Sequence, residues 1–371
     1  MKAAKLRIME QKAMICGLHG LEMNEDELAF FKEVQPWGFI LFARNVDTPE
    51  QLMKLTASLR AAVGRDDAPI LVDQEGGRVQ RLRPPHWEKY PPAAAVGNLY
   101  KQDNNKGRRA AWLLSRLLAF DLLAMGITVD CLPVLDVPSP DGHDCIGDRA
   151  YGATQEQVAT LGRSVCEGIM AGGVMPVIKH IPGHGRANVD SHFKLPVVEE
   201  SFETLAATDF KPFLELKHIP MAMTAHVIYS ALDPNNPATT SKLVMDQIIR
   251  GHLGYDGLIM CDDITMNALS GDLTERTNSI FAAGCDIVLH CTGEMEEMKE
   301  VAAATPMLSG KAEQRAKVAL VGIGETDGMK EADCRAEFAD LMGQLLLAEA
   351  GQADADPTNY GPTSGQNGKI A

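Results

Sequence analysis

Eight short apolar runs, separated by longer stretches with helical spacing, restrict the fold of this chain more than any other feature. The runs predict strands at residues 13–16, 38–42, 69–72, 127–131, 174–178, 220–224, 258–261 and 286–290. Residues 110–123 and 154–171 are typical of the helices between them. Parallel strands need a crossover after each strand, so the alternation predicts an α/β fold, a (β/α)8 TIM-type barrel. A doubly wound open sheet is the alternative with the same strand count.

Composition indicates a single domain followed by a tail. The chain has 371 residues, of which 45% are hydrophobic, and a (β/α)8 barrel of this length often forms one domain. Residues 295–349 have helical patterning and are expected to close the barrel as a C-terminal helical extension. Residues 350–371 contain few large apolar residues, so we predict a domain at 1–349 and a disordered tail at 350–371.

Charge and cysteine content limit the partners and the compartment. Lys and Arg number 35 against 50 Asp and Glu, a formal net charge of -15, which argues against binding nucleic acid or an anionic membrane. Glu10, Gln11 and Lys12 interrupt the N-terminal apolar stretch too early for a secretory signal. The eight cysteines are scattered without a C-x-x-C pair. They indicate reduced thiols in a cytoplasmic protein.

Polar residues follow nearly every predicted strand on its carboxyl side. In a barrel these strand ends meet at one face, where active sites lie. The residues concerned are His19, Arg44, Asn45, Asp73, Gln74, Glu75, Asp136, Lys179, His180, His226, Asp262, Asp263 and His290. A single charged strand end is often a solvated cap, but charges at nearly every end indicate a site.

The segment after the fifth strand contains the densest group of reactive side chains. KHIPGHG at 179–185 is followed by Asp190, Ser191 and His192, and its glycines and proline exclude a helix. Asp190 could simply cap a turn while His192 packs. A carboxylate beside an imidazole also orients the ring for proton transfer near neutral pH, and the surrounding loop favours this function.

The acidic pair after the seventh strand has two interpretations as well. Asp262 and Asp263 could cap a helix, or one of them could act as nucleophile, base or metal ligand. Neighbouring side chains in extended backbone point in opposite directions, so we expect Asp262 to point inward and Asp263 to support the loop.

These motifs together resemble family 3 glycoside hydrolases, and more narrowly the bacterial β-N-acetylhexosaminidases of cell-wall recycling. The matching stretches occur in the family's order along most of the chain. They are DQEGGRVQR at 73–81, PVLDV at 133–137, IGDR at 146–149, KHIPGHG at 179–185, DSH at 190–192, MTAHVIY at 223–229 and CDDITM at 261–266.

The resemblance implies a role for each matched residue. Asp262 corresponds to the nucleophile of a retaining glycosidase, His192 to the general acid/base, and Asp190 to its dyad partner. The residues that correspond to N-acetylglucosamine ligands are Asp73, Arg81, Arg149, Lys179 and His180. The implied enzyme is a β-N-acetylglucosaminidase without metal or other cofactor. Its implied substrate is a muropeptide fragment, N-acetylglucosamine on 1,6-anhydro-N-acetylmuramic acid with or without peptide, and we expect a monomer or weak homodimer.

Three other functions stay open. A phosphorylase is one, because a neutral imidazole does not repel an attacking phosphate as a carboxylate does. A metal-dependent barrel hydrolase could use His180, His184, His192 and His226. A sugar-binding sensor without catalysis is the third, although binding alone requires no nucleophile.

Overall fold

A barrel of parallel strands forms the centre of the molecule. The computed structural model describes residues 10–139, 146–187 and 195–349. Within them the strands are β1 Lys12–Cys16, β2 Pro36–Leu41, β3 Ile70–Val72, β4 Val129–Asp130, β5 Met175–Ile181, β6 Val197–Val198, β7 Met221–Thr224, β8 Ile228–Tyr229, β9 Leu258–Met260 and β10 Val288–His290.

Helices surround these strands along the described chain. The α-helices are α1 Glu25–Val34, α2 Pro49–Val63, α3 Ala93–Gln102, α4 Asn104–Ala124, α5 Gln155–Ala171, α6 Phe202–Ala207, α7 Lys211–Glu215, α8 Leu273–Ala283, α9 Met295–Ala304, α10 Gly310–Ala319 and α11 Glu331–Glu349. Short 3₁₀ helices lie at Ala43–Asn45, Gly147–Arg149 and Ala238–Thr240, and a π-helix lies at Val244–His252.

Strand pairing confirms the predicted barrel. Eight strands pair in parallel in the order β10, β1, β2, β3, β4, β5, β7, β9. A parallel bridge between Met260 and Ile287 joins the last strand to the first, and the Cys261 N–H donates to the Ile287 carbonyl at 3.1 Å. The ends of the sheet therefore meet, and the alternative of an open doubly wound sheet is wrong.

All eight predicted strand positions overlap a barrel strand, but their limits differ. β4 is only two residues long, and Pro133, which has no N–H to donate, follows soon after it. β5 runs on through Lys179 and His180, beyond the apolar run that predicted it. A second, two-stranded parallel sheet pairs β6 with β8 and was not predicted.

The helices begin and end with local signals that the sequence contains. Asn24 and Glu27 form a capping box at the start of α1, and Asp272 and Glu275 form another at α8. Gly284 ends α8 in the left-handed region, where glycine is favoured. Residues 295–349 contain α9, α10 and α11, as their patterning predicts.

Most of the buried apolar residues in the described ranges form one large core that joins barrel and helices, and Val134, Ile146 and Ala150 form a small separate cluster. Seven cysteines lie in the described part of the chain, all of them buried and none in a disulfide. No helix within the described ranges is long and apolar enough to cross a membrane. Residues 350–371 lie outside the described ranges, so the domain limit at residue 349 and the disordered tail remain predictions.

Candidate active site

Charged side chains from the chain after β3, from β5 and from the 3₁₀ helix Gly147–Arg149 form a buried cluster at the carboxyl end of the barrel. Lys179 Nζ lies 2.7 Å from Asp73 Oδ1 and 2.6 Å from Glu75 Oε1. Arg81 donates to Asp73 Oδ2 at 3.1 Å. Arg149 donates to both oxygens of Glu75, at 2.8 and 2.7 Å. Three cations thus surround two carboxylates, and the arrangement offers both donors and acceptors to a polyhydroxylated ligand.

Asp73 directly follows β3 and Glu75 lies two positions further along, so the sequence places both carboxylates at the carboxyl end of that strand. Burial alone would raise the pKa of Asp73, but Lys179 and Arg81 hold it well below its usual range. Burial would also raise the pKa of Glu75, but Arg149 and Lys179 lower this pKa to about 2. Both carboxyl groups are therefore charged at neutral pH.

A second group links Asp136, after β4, to two histidines. Asp136 Oδ2 lies 2.7 Å from His180 Nδ1, and Asp136 Oδ1 accepts the backbone N–H of His184 at 2.7 Å. The pairing of β5 with β7 shifts register between Lys179 and Ile181, at the position of His180. Such irregularities redirect side chains beside active sites. Here Lys179 reaches Asp73 and Glu75, while the next residue reaches Asp136.

One of these two histidines, His184, is kept uncharged by its surroundings. Burial, and then the neighbouring His180, lower the pKa of His184 to about 4, although Asp136 and Asp262 oppose the shift. The two imidazole rings lie 5.5 Å apart between centroids. His184 is therefore neutral at pH 7 and lies within electrostatic range of Asp262.

Asp262 and Asp263, after β9, have different environments, as expected for neighbours in extended backbone. Asp262 is partly exposed, and its Oδ1 accepts the Asp263 backbone N–H at 2.8 Å. Asp263 is buried and accepts the backbone N–H groups of Thr265 and Cys291, both at 3.2 Å. Asp263 therefore supports the loop, and Asp262 is the acid of this pair that faces solvent.

His226, after β7, is held in the protein framework. Its Nδ1 lies 2.7 Å from Thr239 Oγ1 and its Nε2 lies 3.0 Å from the Asp263 carbonyl. With both ring nitrogens engaged, it is not arranged as a metal ligand. Across the described ranges, no group of three or more His, Cys, Asp or Glu side chains is placed to hold a metal ion. The alternative interpretation as a metal-dependent hydrolase therefore loses His226, one of the four histidines proposed as metal ligands.

Six of the eight predicted site residues lie at this end of the barrel: Asp73, Arg81, Arg149, Lys179, His180 and Asp262. Asp190 and His192 lie outside the described residues. Glu75 and Asp136 were among the polar residues predicted at the strand ends, but the sequence assigned neither of them a role in the site. The structure shows that Glu75 holds Lys179 and Arg149, and that Asp136 holds His180.

Comparison with known proteins identifies the family. The model of the glycosyl hydrolase family 3 N-terminal domain matches residues 2–320. The chain belongs to glycoside hydrolase family 3. It is 36% identical over 308 residues to a β-hexosaminidase of Idiomarina loihiensis, covering 81% of this chain and 90% of that protein. It is 38% identical to a β-hexosaminidase of Aromatoleum aromaticum, covering 73% and 77% respectively.

Solved structures agree with this assignment. Native NagZ of Neisseria gonorrhoeae superposes with a TM-score of 0.78 at 31% identity, over 90% of this chain and 98% of that one. The same enzyme in complex with N-trifluoroacetyl-D-glucosamine superposes at 0.79 over the same shares of both chains. The protein is thus a glycoside hydrolase of the β-N-acetylhexosaminidase class, as its motifs predict.

Proposed function

We propose that this enzyme removes terminal β-linked N-acetylglucosamine from muropeptide fragments in the cytoplasm. The sugar would be joined to 1,6-anhydro-N-acetylmuramic acid, with or without peptide. One observation carries the proposal: the partly exposed Asp262 lies at the same barrel end as a buried cluster of paired cations and carboxylates. A N. gonorrhoeae relative with an N-acylated glucosamine supports the choice of sugar.

The proposed first step forms a covalent intermediate. A carboxylate oxygen of Asp262 attacks the anomeric carbon, and the bond from that carbon to the leaving-group oxygen breaks. His192, oriented by Asp190, gives its proton to the departing oxygen. The products are a glycosyl ester on Asp262 and the released 1,6-anhydro-N-acetylmuramic acid residue, which now carries a hydroxyl group at the former glycosidic oxygen.

The second step returns the enzyme to its starting state. Water attacks the anomeric carbon while His192 accepts its proton, and the Asp262 carboxylate leaves. Two inversions at one carbon retain the β configuration. The distance rule for two catalytic carboxyl groups does not apply here, because an imidazole replaces one of them.

The remaining site residues would bind and orient the sugar. Asp73, Arg81, Arg149, Lys179 and His180 supply fixed donors and acceptors for hydroxyl and acetamido groups. Ion pairs of Asp73 with Arg81 and Lys179, an ion pair of Arg149 with Glu75, and the contact of His180 with Asp136 hold these side chains in place before substrate arrives. Neutral His184 adds no positive charge beside the anomeric carbon, where positive charge develops in the transition state.

The test compares wild type, Asp262→Asn and Asp246→Asn on 4-nitrophenyl β-N-acetylglucosaminide, with the 4-nitrophenyl β-glucoside as a second substrate. Asp246 is a solvent-exposed aspartate paired with Lys242, so its substitution is the matched control. We expect activity on the N-acetyl sugar alone, retained in Asp246→Asn and abolished in folded Asp262→Asn. Activity that persists in Asp262→Asn would show that the nucleophile is another residue.

Product analysis in phosphate buffer decides between hydrolysis and the phosphorylase alternative. We expect free N-acetylglucosamine as the product. Accumulation of the sugar 1-phosphate would identify a phosphorylase. A folded wild-type protein that binds N-acetylglucosamine without any turnover would favour the sensor.

A further inference from the structure

His226 is a fully buried histidine that the proposed mechanism does not use. It follows β7 at the carboxyl end of the barrel, and each of its ring nitrogens has a partner. Nε2 lies 3.0 Å from the Asp263 carbonyl oxygen, and Nδ1 lies 2.7 Å from Thr239 Oγ1. A carbonyl oxygen has no proton to give, so Nε2 must carry a proton and donate it to Asp263.

The hydroxyl of Thr239 determines the state of the other nitrogen. It also lies 2.8 Å from Thr224 Oγ1 and 3.0 Å from the Ala225 carbonyl oxygen. A hydroxyl has one proton to donate and can accept the proton of another hydroxyl. If Thr224 donates to Thr239 and Thr239 donates to Nδ1, the imidazole is neutral. If the Thr239 proton is directed to Ala225 instead, Nδ1 must also carry a proton and the ring is charged.

Burial favours the neutral ring. His226 and Thr239 are both 0% exposed, and desolvation lowers the pKa of the imidazole, although Asp262 and Asp263 oppose the shift. The neutral tautomer with its proton on Nε2 is therefore the form at pH 7, a donor towards Asp263 and an acceptor towards Thr239. Such a ring can hold a carbonyl without placing a positive charge beside Asp262.

The residue that His226 holds is also the one that orients Asp262. The Asp263 N–H donates to Asp262 Oδ1 at 2.8 Å. The Asp263 carbonyl accepts from His226 and from the Met266 N–H, the latter at 3.2 Å. Its side chain accepts the N–H of Cys291, after β10, at 3.2 Å. Asp263 is thus fixed from its own loop, from the loop after β10 and, through His226, from the chain after β7.

We propose that His226 is a positioning residue, which holds the Asp263 carbonyl so that the Asp263 N–H directs the Asp262 carboxylate at the anomeric carbon. Thr239 completes the arrangement, because its hydroxyl keeps the ring in the tautomer that donates to Asp263. This inference rests on the proposed function, since it takes Asp262 as the nucleophile. A catalytic group displaced by about 1 Å can lower a rate by about 10²-fold. Loss of the restraint should therefore lower kcat, while KM, which depends on the sugar-binding residues, should change little.

The experiment measures kcat and KM on 4-nitrophenyl β-N-acetylglucosaminide for two pairs of variants. His226→Leu removes the donor to Asp263, whereas His226→Gln keeps an N–H donor on a side chain of similar reach. Thr239→Val removes the hydroxyl, whereas Thr239→Ser keeps it. The free energy of unfolding of each variant is measured alongside, because a merely structural substitution lowers stability without changing kcat of the folded protein.

Two further variants are the matched controls. His218 is exposed and lies before β7, at the opposite end of the strand that His226 follows, so His218→Leu controls for the change of residue type. Thr56 is 2% exposed and its hydroxyl donates to the Met125 carbonyl at 2.8 Å, on the amino side of β4. Thr56→Val therefore controls for the loss of a buried threonine hydrogen bond away from Asp263.

We expect His226→Leu to lower kcat by about tenfold or more and to change KM by less than about twofold. His226→Gln should recover kcat to within about threefold of the wild-type value, because the donor to Asp263 is restored. Thr239→Val is expected to lower kcat by about threefold or more, and Thr239→Ser by less than about twofold. His218→Leu and Thr56→Val should keep the wild-type kcat, although Thr56→Val lowers the free energy of unfolding.

Nitrogen NMR of the full chain labelled with ¹⁵N-histidine tests the tautomer directly. The His226 signals are identified by their absence from His226→Gln or by their change in Thr239→Ser. At pH 7 we expect a protonated Nε2 and an unprotonated Nδ1. A protonated Nδ1 would overturn the part assigned to Thr239, and an unprotonated Nε2 would overturn the whole inference.

A folded His226→Leu protein with the wild-type kcat would overturn the positioning role, as would equal losses of kcat in His226→Leu and His226→Gln. If His226→Leu does not fold, a Thr239→Val protein with the wild-type kcat has the same consequence. The proposed function fails separately, if folded Asp262→Asn keeps its activity. An inactive Asp262→Asn together with an unchanged kcat in His226→Leu would remove the positioning role alone.

Discussion

Lys179 illustrates how single residues build this site. Its side chain is 2% exposed, so an isolated ammonium group there would be strongly destabilising. Two carboxylates, Asp73 and Glu75, lie within 2.7 and 2.6 Å of its nitrogen and keep it charged. Burial alone would lower the pKa of Lys179, but these partners raise it above its usual value. Removing one partner from such a group leaves another charge uncompensated.

The pH dependence of stability tests this account of Glu75. Its pKa is about 2 in the folded protein against an ordinary value of 4.5, so its stabilisation is complete above pH 4.5 and is lost as the pH falls towards 2. Glu75→Gln removes that titration. We therefore expect the urea midpoint of wild type to fall more steeply between pH 5 and 3 than that of Glu75→Gln.

Glu203→Gln, at an exposed carboxyl of α6, is the control and should keep the wild-type slope. Parallel curves for wild type and Glu75→Gln over this pH range would mean that Glu75 is not held charged by Lys179 and Arg149.

At the scale of elements, α4 and α5 approach each other through glycine. A Cβ at Gly168 would overlap the Trp112 carbonyl and the Ser115 hydroxyl of α4, and one at Gly172 would overlap the Ala119 Cβ. Gly168 is therefore present because of close helix packing, although glycine weakens an isolated helix. The same residue type in α11, Gly343, has no atom near such a Cβ.

Alanine in place of Gly168 and alanine in place of Gly343 should thus have opposite effects on the free energy of unfolding. Gly168→Ala is expected to lower the free energy of unfolding by about 1–3 kcal/mol, because backbone atoms of α4 must move. Gly343→Ala is expected to raise it by about 0.5–1 kcal/mol through helix propensity. Urea denaturation of both variants measures the difference. A Gly168→Ala protein as stable as wild type would contradict the packing described here.

β5 shows where sequence patterns reach their limit for an element. The apolar run predicts an end at residue 178, because Lys179 and His180 have polar side chains that usually mark a strand end. The strand continues to Ile181, and the partners of those side chains come from the loops after β3 and after β4. Asp73 and Lys179 are 106 positions apart in the sequence, and local sequence patterns do not detect a contact over such a separation.

At the scale of the whole molecule, the sequence predicted the barrel because its parallel strands are buried on both faces and leave continuous apolar runs. It also predicted the end of the barrel at which the site lies, because carboxyl ends of parallel strands converge. The pairings within the site were not predictable in the same way. Arg149 and Glu75, 74 positions apart, are joined only by the closed geometry of the barrel.

In the mechanism that we propose, Asp262 becomes covalently linked to the sugar. The most direct test of this link is intact-protein mass spectrometry of the full chain after treatment with a slow substrate, 2-acetamido-2-deoxy-5-fluoro-β-glucosyl fluoride, followed by peptide mapping. We expect one sugar per chain, located on the peptide with Asp262 and absent from Asp262→Asn. An adduct on another residue, or turnover of this substrate without any adduct on the wild-type protein, would contradict the account.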